Sequence, residues 1–147
     1  MKILIADDDA DSRTALRKTL EAAGHEITDV SSGQEALRVI HEAPPELIIS
    51  DVLVPPMNGF RLCHAVKRDK KLGDIPFVFY SSTYTDRENE KLALSLGASR
   101  YIIKPVEAGD FLEIINNVIR EVKEGNVPAA GDEGDQFIEM YNENHSG

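Results

Sequence analysis

The stretch "LIISDVLVPPMNG", residues 47–59, decides how the chain is read. Its first residues are continuously apolar, as expected of a parallel strand covered on both faces. Asp51 follows at once. Pro55 and Pro56 then stop the strand, because proline lacks an N–H and fixes φ. Asn58-Gly59 restarts the chain into a helix. A carboxylate is thus delivered at the carboxyl end of a buried strand, beside a loop stiffened by two prolines.

The same arrangement recurs on either side. Apolar runs at 3–6, 27–30, 77–80 and 101–103 predict four further strands, and the more polar Ile27-Thr28-Asp29-Val30 is the candidate edge strand. Segments of helical period lie between them: Leu16, Leu20 and Ala23; Ala36, Leu37 and Ile40; Phe60, Cys63 and Val66; Leu92 and Leu96; Phe111, Ile115, Val118 and Val122. Ser32 and Glu35 have capping-box spacing, and Gly24 and Gly97 sit where helices should stop. Strand and helix alternate five times. That alternation predicts an α/β fold, a parallel sheet with helices on both faces and right-handed crossovers.

Composition changes after residue 123. Residues 1–123 read as one domain, 124–132 as a Gly-, Pro- and Ala-containing linker, and 133–147 as a C-terminal tail. Within the tail, Phe137, Ile138 and Tyr141 line one face of a short helix that has too few turns to be stable alone. It either docks on the domain or begins an element that continues in a longer protein.

Bulk properties exclude several functions. The 147 residues carry a formal net charge of -10, which repels the nucleic-acid backbone, and no basic recognition helix is present, so direct nucleic-acid binding is not expected. The single cysteine, Cys63, rules out a disulfide framework and reads as a buried apolar residue. No run approaches the roughly 18 apolar residues of a membrane helix, and the N-terminal apolar run is too short for a signal peptide. The expectation is a cytoplasmic chain with no membrane contact.

The polar residues acquire meaning on this frame. Asp7 and Asp8 follow the first strand, Asp51 the third, Ser81 the fourth and Lys104 the fifth. Strand carboxyl ends converge at the ligand crevice of an open α/β sheet. An acid pair in a loop is by itself most simply a solvated turn or a helix cap, and Asp11 or Ser12 is the expected cap here. Matching strand ends argue for more. Three converging carboxylates need a cation or a raised pKa. A few hard oxygen ligands suit Mg²⁺, with Mn²⁺ as the substitute, and phosphate oxygens complete its octahedron. With a lysine and a hydroxyl added, the set describes a phosphoryl site in which Asp51 could serve as nucleophile.

The chain resembles the receiver domain of two-component response regulators over residues 1–123. The resemblance rests on "ILIADDD", the D-x-x-x-P-x-M-N-G loop from Asp51 to Gly59, Ser81 after "PFVFY", and "GASRYIIKP" ending at Pro105. It implies a flavodoxin-like (βα)5 fold with strand order 2-1-3-4-5. It also implies roles. Asp51 would accept a phosphoryl group from the phosphohistidine of a histidine kinase or phosphotransfer protein. Asp8 would bind Mg²⁺ directly, Asp7 largely through water, and the Leu53 carbonyl would add a ligand. Ser81 and Lys104 would hold phosphoryl oxygens, and Lys104-Pro105 would be cis. Tyr101 matches the aromatic switch position, so that phosphorylation would remodel a face read by an output domain, an output protein or a second copy in a phosphorylation-dependent homodimer. Such a chain is a phosphoacceptor assisting its own phosphorylation and dephosphorylation, not an enzyme.

Departures and rivals are legible too. Leu53 and Thr83 occupy the positions that tune dephosphorylation in the family, and Ser82 is a rival hydroxyl. A haloacid-dehalogenase-type phosphatase wants a second acid two residues after its nucleophile, where this chain has Leu53. A flavin phosphate would be repelled by "DDDADS". The remaining alternatives are a receiver segment of a larger sensor kinase or multidomain regulator, and a docking module whose phosphorylation is incidental. Arg13, Arg61 and the charges at 87–91 read as solvated helix faces, Asp9 as a rim acid with a water-mediated metal contact, and His25, His41, His64 and His145 have no ligand spacing.

Overall fold

The computed structural model describes residues 1–82, 86–129 and 131. Each apolar run becomes a strand and each stripe a helix. The order is β1 (Lys2–Ala6), α1 (Ala10–Ala22), β2 (Glu26–Val30), α2 (Gly33–Glu42), β3 (Leu47–Ser50), β4 (Leu53–Val54), β5 (Met57–Asn58), α3 (Gly59–Arg68), β6 (Phe77–Ser81), α4 (Arg87–Ser95), β7 (Arg100–Ile103) and α5 (Ala108–Lys123). Five strands form one parallel sheet in the order β2-β1-β3-β6-β7. Leaving out the short β4 and β5, this is the expected 2-1-3-4-5, and the polar β2 does lie at an edge.

Alternation along the strands divides the core. Ile3, Ile5, Leu47, Ile49, Val78 and Ile102 face one side, where Leu20 of α1 and Phe111, Ile115 and Val118 of α5 cover them. Leu4, Ala6, Ile48, Phe77 and Phe79 face the other, under Ala36 and Ile40 of α2, Phe60, Cys63 and Val66 of α3, and Leu92 and Leu96 of α4. Each large side chain so buried contributes roughly 1.5–3 kcal/mol, which is why the stripe residues specify the helix faces.

Local signals act as expected at most ends. Ser32 Oγ accepts from the Glu35 N–H at 3.1 Å, the forward half of a capping box. Gly24 and Gly97 end α1 and α4 at φ of 93° and 101°, where a side chain would strain the backbone. The cap of α1 is a correction: Asp9, not Asp11 or Ser12, accepts from the Asp11 N–H at 3.1 Å. The proline loop is more ordered than a simple break. Pro55 and Pro56 form the turn of a two-residue antiparallel hairpin, in which Leu53 pairs with Asn58 and Val54 with Met57. Pro55-Pro56 and Lys104-Pro105 are cis.

No helix among the described residues is long and apolar enough to cross a membrane. Thr83, His145 and the tail with Phe137, Ile138 and Tyr141 lie outside the described residues.

Candidate phosphoryl site

The sheet register brings the strand ends together. The Asp51 N–H donates to the Ala6 carbonyl, the Asp7 N–H to the Val30 carbonyl, and the Lys104 N–H to the Ser81 carbonyl. Each bond extends a ladder by one residue beyond its strand, so the side chains that follow the strands are fixed by the sheet itself. Asp7, Asp51 and Ser81 are buried.

Lys104, 97 positions from Asp7 in sequence, closes the site. Its Nζ donates to Asp7 Oδ2 at 2.9 Å, to Asp51 Oδ2 at 3.2 Å and to Ser12 Oγ at 2.7 Å, which uses all three ammonium hydrogens. The ammonium also lies 5.2 Å from the Tyr80 ring centroid. Burial works to lower the Lys104 pKa, but the hydrogen bond and charge of Asp7, then those of Asp51, outweigh it and hold the pKa above the ordinary lysine value. The other Asp51 oxygen, Oδ1, accepts from Ser81 Oγ at 2.8 Å and from the Leu53 N–H at 3.1 Å. Ser81, rather than the exposed Ser82, therefore supplies the hydroxyl that meets the carboxylate.

Gly59 explains how the loop comes so close. A Cβ there would stand 2.4 Å from the Asp51 carbonyl oxygen and 3.0 Å from Val52 Cα. The start of α3 lies directly under the backbone of Asp51, and the Gly59 N–H donates to the Val52 carbonyl at 2.7 Å. Asn58 caps the same helix, accepting from the Arg61 N–H at 3.0 Å.

The expected meeting of three acids is only partly realised. Asp7 and Asp51 flank Lys104, whereas Asp8 is exposed and makes no hydrogen bond or ion pair among the described residues. Among the described residues no cluster of three acidic, histidine or cysteine side chains is assembled for a metal. The Lys104 ammonium instead lies between the two buried carboxylates. The donor set still fits a small hard cation: Asp7 and Asp51 meet at one ammonium, Asp8 follows Asp7 directly in the chain, and the ligand atoms all three offer are oxygens. Leu53, 39% exposed, sits at the rim with its carbonyl in the acceptor loop.

Two supporting residues escaped the sequence reading. Ser12 is an acceptor for Lys104, not a helix cap. The available clue was its place in the first turn of the helix after an acidic strand end, which faces the crevice. Arg13 is not a free surface charge: it pairs with Asp29 at 2.9 Å and donates to the Asp7 carbonyl at 2.8 Å. Arg17 also pairs with Asp29, so α1 is clamped to edge strand β2 just behind the acids. Asp9 is the α1 cap, with its N–H donating to Asp7 Oδ1 at 2.9 Å. Tyr101 is half-buried with its ring centroid 5.7 Å from that of Phe79.

Comparison with known proteins places this geometry. A family model for the response regulator receiver domain matches residues 3–116. The transcriptional regulatory protein AfsQ1 of Streptomyces coelicolor is 35% identical over 105 residues, which are 71% of this chain and 44% of that protein. The chain spans about half the length of the curated relatives it matches. The CheY-like response regulator receiver domain protein of Methanospirillum hungatei superimposes with a TM-score of 0.79 at 29% identity, over 84% of this chain and 97% of that one. Chemotaxis response regulator CheY4 of Vibrio cholerae does so with a TM-score of 0.74 at 31% identity, over 80% and 97%.

Proposed function

The chain belongs to the response regulator receiver domain family of two-component systems, and from that premise we propose that Asp51 takes a phosphoryl group from the phosphohistidine of a histidine kinase or phosphotransfer protein. The observation that carries this reading is the double hold on the Asp51 carboxylate. One oxygen faces Ser81 and the other faces Lys104, at 2.8 and 3.2 Å. The hydroxyl and the ammonium are the two kinds of donor that phosphoryl oxygens on Asp51 would need.

In the proposed transfer an Asp51 oxygen attacks phosphorus and the P–N bond breaks. Its electron pair stays on the imidazole nitrogen, which regains its proton from solvent. Ser81 and Lys104 then donate to phosphoryl oxygens instead of the bare carboxylate. Asp8, Asp7, Asp51 and the Leu53 carbonyl would hold Mg²⁺, or Mn²⁺ in its place, which supplies the positive charge that lets a phosphoryl dianion approach three acids. The chain so read is a phosphoacceptor assisting its own phosphorylation and dephosphorylation, not an enzyme. Withdrawal of Ser81 toward the phosphoryl group would free space for Tyr101, already beside Phe79, to turn further inward. The α4–β7–α5 face would change with it, for an output domain, an output protein or a second copy to read.

Intact-mass spectrometry after incubation with Mg²⁺ and acetyl phosphate tests the proposal. A single base-labile phosphoryl adduct should form on the parent chain and not on Asp51→Asn. Uptake that survives in Asp51→Asn would remove Asp51 from its role.

A further inference from the structure

The turn that carries the first two acids is tied down at Asp7, which is bonded through each of its polar groups. Its N–H donates to the Val30 carbonyl at 3.1 Å, Oδ2 accepts from Lys104 Nζ at 2.9 Å, and Oδ1 accepts from the Asp9 N–H at 2.9 Å. Its carbonyl accepts from Arg13 Nη1 at 2.8 Å. Asp8, the next residue, has an exposed side chain with no hydrogen bond or ion pair among the described residues.

The bond to the Asp7 carbonyl acts on Asp8. A peptide unit is planar, so that carbonyl oxygen shares one rigid plane with the nitrogen and Cα of Asp8. Whatever fixes the oxygen also fixes the direction from which the Asp8 side chain leaves the backbone. Arg13 is itself held from the far side, because its Nε donates to Asp29 Oδ2 at 2.9 Å. The guanidinium donors form a rigid fork, so the ion pair at one edge aims Nη1 at the other. Asp29 belongs to β2, where it pairs with Ile5 of β1, two residues before Asp7. The edge strand thus holds the Asp7–Asp8 peptide twice, through Val30 directly and through Asp29 by way of Arg13.

We propose that Arg13, anchored by Asp29, is a positioning residue for the cation: it fixes the Asp7–Asp8 peptide so that the Asp8 carboxylate is presented to Mg²⁺. The inference rests on the reading of Asp8 as the direct ligand. A pure charge effect has the opposite sign. A guanidinium near the acids repels a divalent cation, so removing it would tighten binding if charge were its only action. Residues that orient a metal ligand strengthen binding instead, typically by about 10- to 100-fold.

A backbone-amide NMR titration of the full chain with Mg²⁺, at fixed ionic strength and without phosphoryl donor, compares the parent with Arg13→Gln, Arg17→Gln and Asp8→Asn. The same spectra show whether each variant is folded. Arg17→Gln removes an equal charge and the other partner of Asp29, but no bond to the Asp7–Asp8 peptide. Arg13→Gln should bind Mg²⁺ about tenfold more weakly, and Arg17→Gln should bind it as tightly as the parent or slightly more so. Binding that is lost in Asp8→Asn but unchanged or tighter in Arg13→Gln overturns the role of Arg13 and leaves the metal site standing. Equal weakening in Arg13→Gln and Arg17→Gln assigns the effect to the α1–β2 clamp as a whole and overturns it too. A parent chain that binds no Mg²⁺, or binding that survives in Asp8→Asn, overturns the metal site and this inference with it. Arg13→Lys keeps the charge but offers one nitrogen for two acceptors; it replaces Arg13→Gln, with the same outcomes, if the glutamine variant does not fold.

Discussion

Lys104 shows how much one residue can settle here. Two buried carboxylates share its ammonium, and removing one partner of a buried pair leaves uncompensated charge that costs on the order of 3 kcal/mol. Lys104→Met should lose about that much at neutral pH in urea titrations without divalent cation. Because the folded pKa of Lys104 is raised, the stabilisation is complete below the ordinary lysine value of 10.5 and is lost as pH climbs through the folded value above it. The gap between parent and variant should therefore close at strongly alkaline pH. Cys63 gives a second prediction of the same sign. Burial pushes its thiol up from 9.0 to about 12, so the unfolded chain ionises first as pH rises. Over the window from 9 to 12 this costs on the order of 4 kcal/mol. Cys63→Ala should lose less stability than the parent chain across that window, and a thiol reagent at pH 8 should label the parent only on unfolding.

At the scale of elements, the start of α3 carries the strongest constraint. Gly59→Ala puts a methyl 2.4 Å from the Asp51 carbonyl oxygen, so either helix or loop must shift, at about 1–3 kcal/mol. The loop also holds Asp51 through the Leu53 N–H, and phosphoryl uptake should fall with stability. Gly109→Ala is the matched control: nothing lies within 4 Å of that position in α5, and alanine there should stabilise by about 0.5 kcal/mol. A drop in uptake for both, or for neither, by intact mass would contradict the close-approach argument. The contrast also shows what a sequence can carry. The strands, the stripes and the Ser32 cap of this chain are legible because each obeys a local period or a single-residue preference, whereas the α1 cap, expected at Asp11 or Ser12, is Asp9. The hairpin at Leu53–Val54 and Met57–Asn58 was not legible, since two prolines signal only that a strand ends. Ser12 and Arg13 were misread for a related reason: their partners, Lys104 and Asp29, lie far along the chain and meet them only through the sheet register.

For the whole molecule, the crevice gathers negative charge in a chain already at -10. Asp7 and Asp51 share one ammonium at the strand ends, and Asp8, next in the chain, adds a third acid that a cation could join to them. A cation that binds only the folded chain stabilises it by linkage, about 1.4 kcal/mol at ten times its Kd. Mg²⁺ should thus raise the Tm by a few degrees beyond NaCl of matched ionic strength, which screens the surface but fills no site. Asp8 separates this effect from ordinary stability. It is exposed and makes no hydrogen bond or ion pair among the described residues, so Asp8→Asn should leave the Tm without Mg²⁺ nearly unchanged and abolish the Mg²⁺ increment. Asp7→Asn would confuse the two, because Asp7 also holds Lys104 and the Asp9 N–H. Calorimetry of parent and Asp8→Asn, each with Mg²⁺ and with matched NaCl, decides the matter. An increment that survives in Asp8→Asn would mean that the cation sits elsewhere, and an equal rise in NaCl would mean that screening alone relieves the crevice.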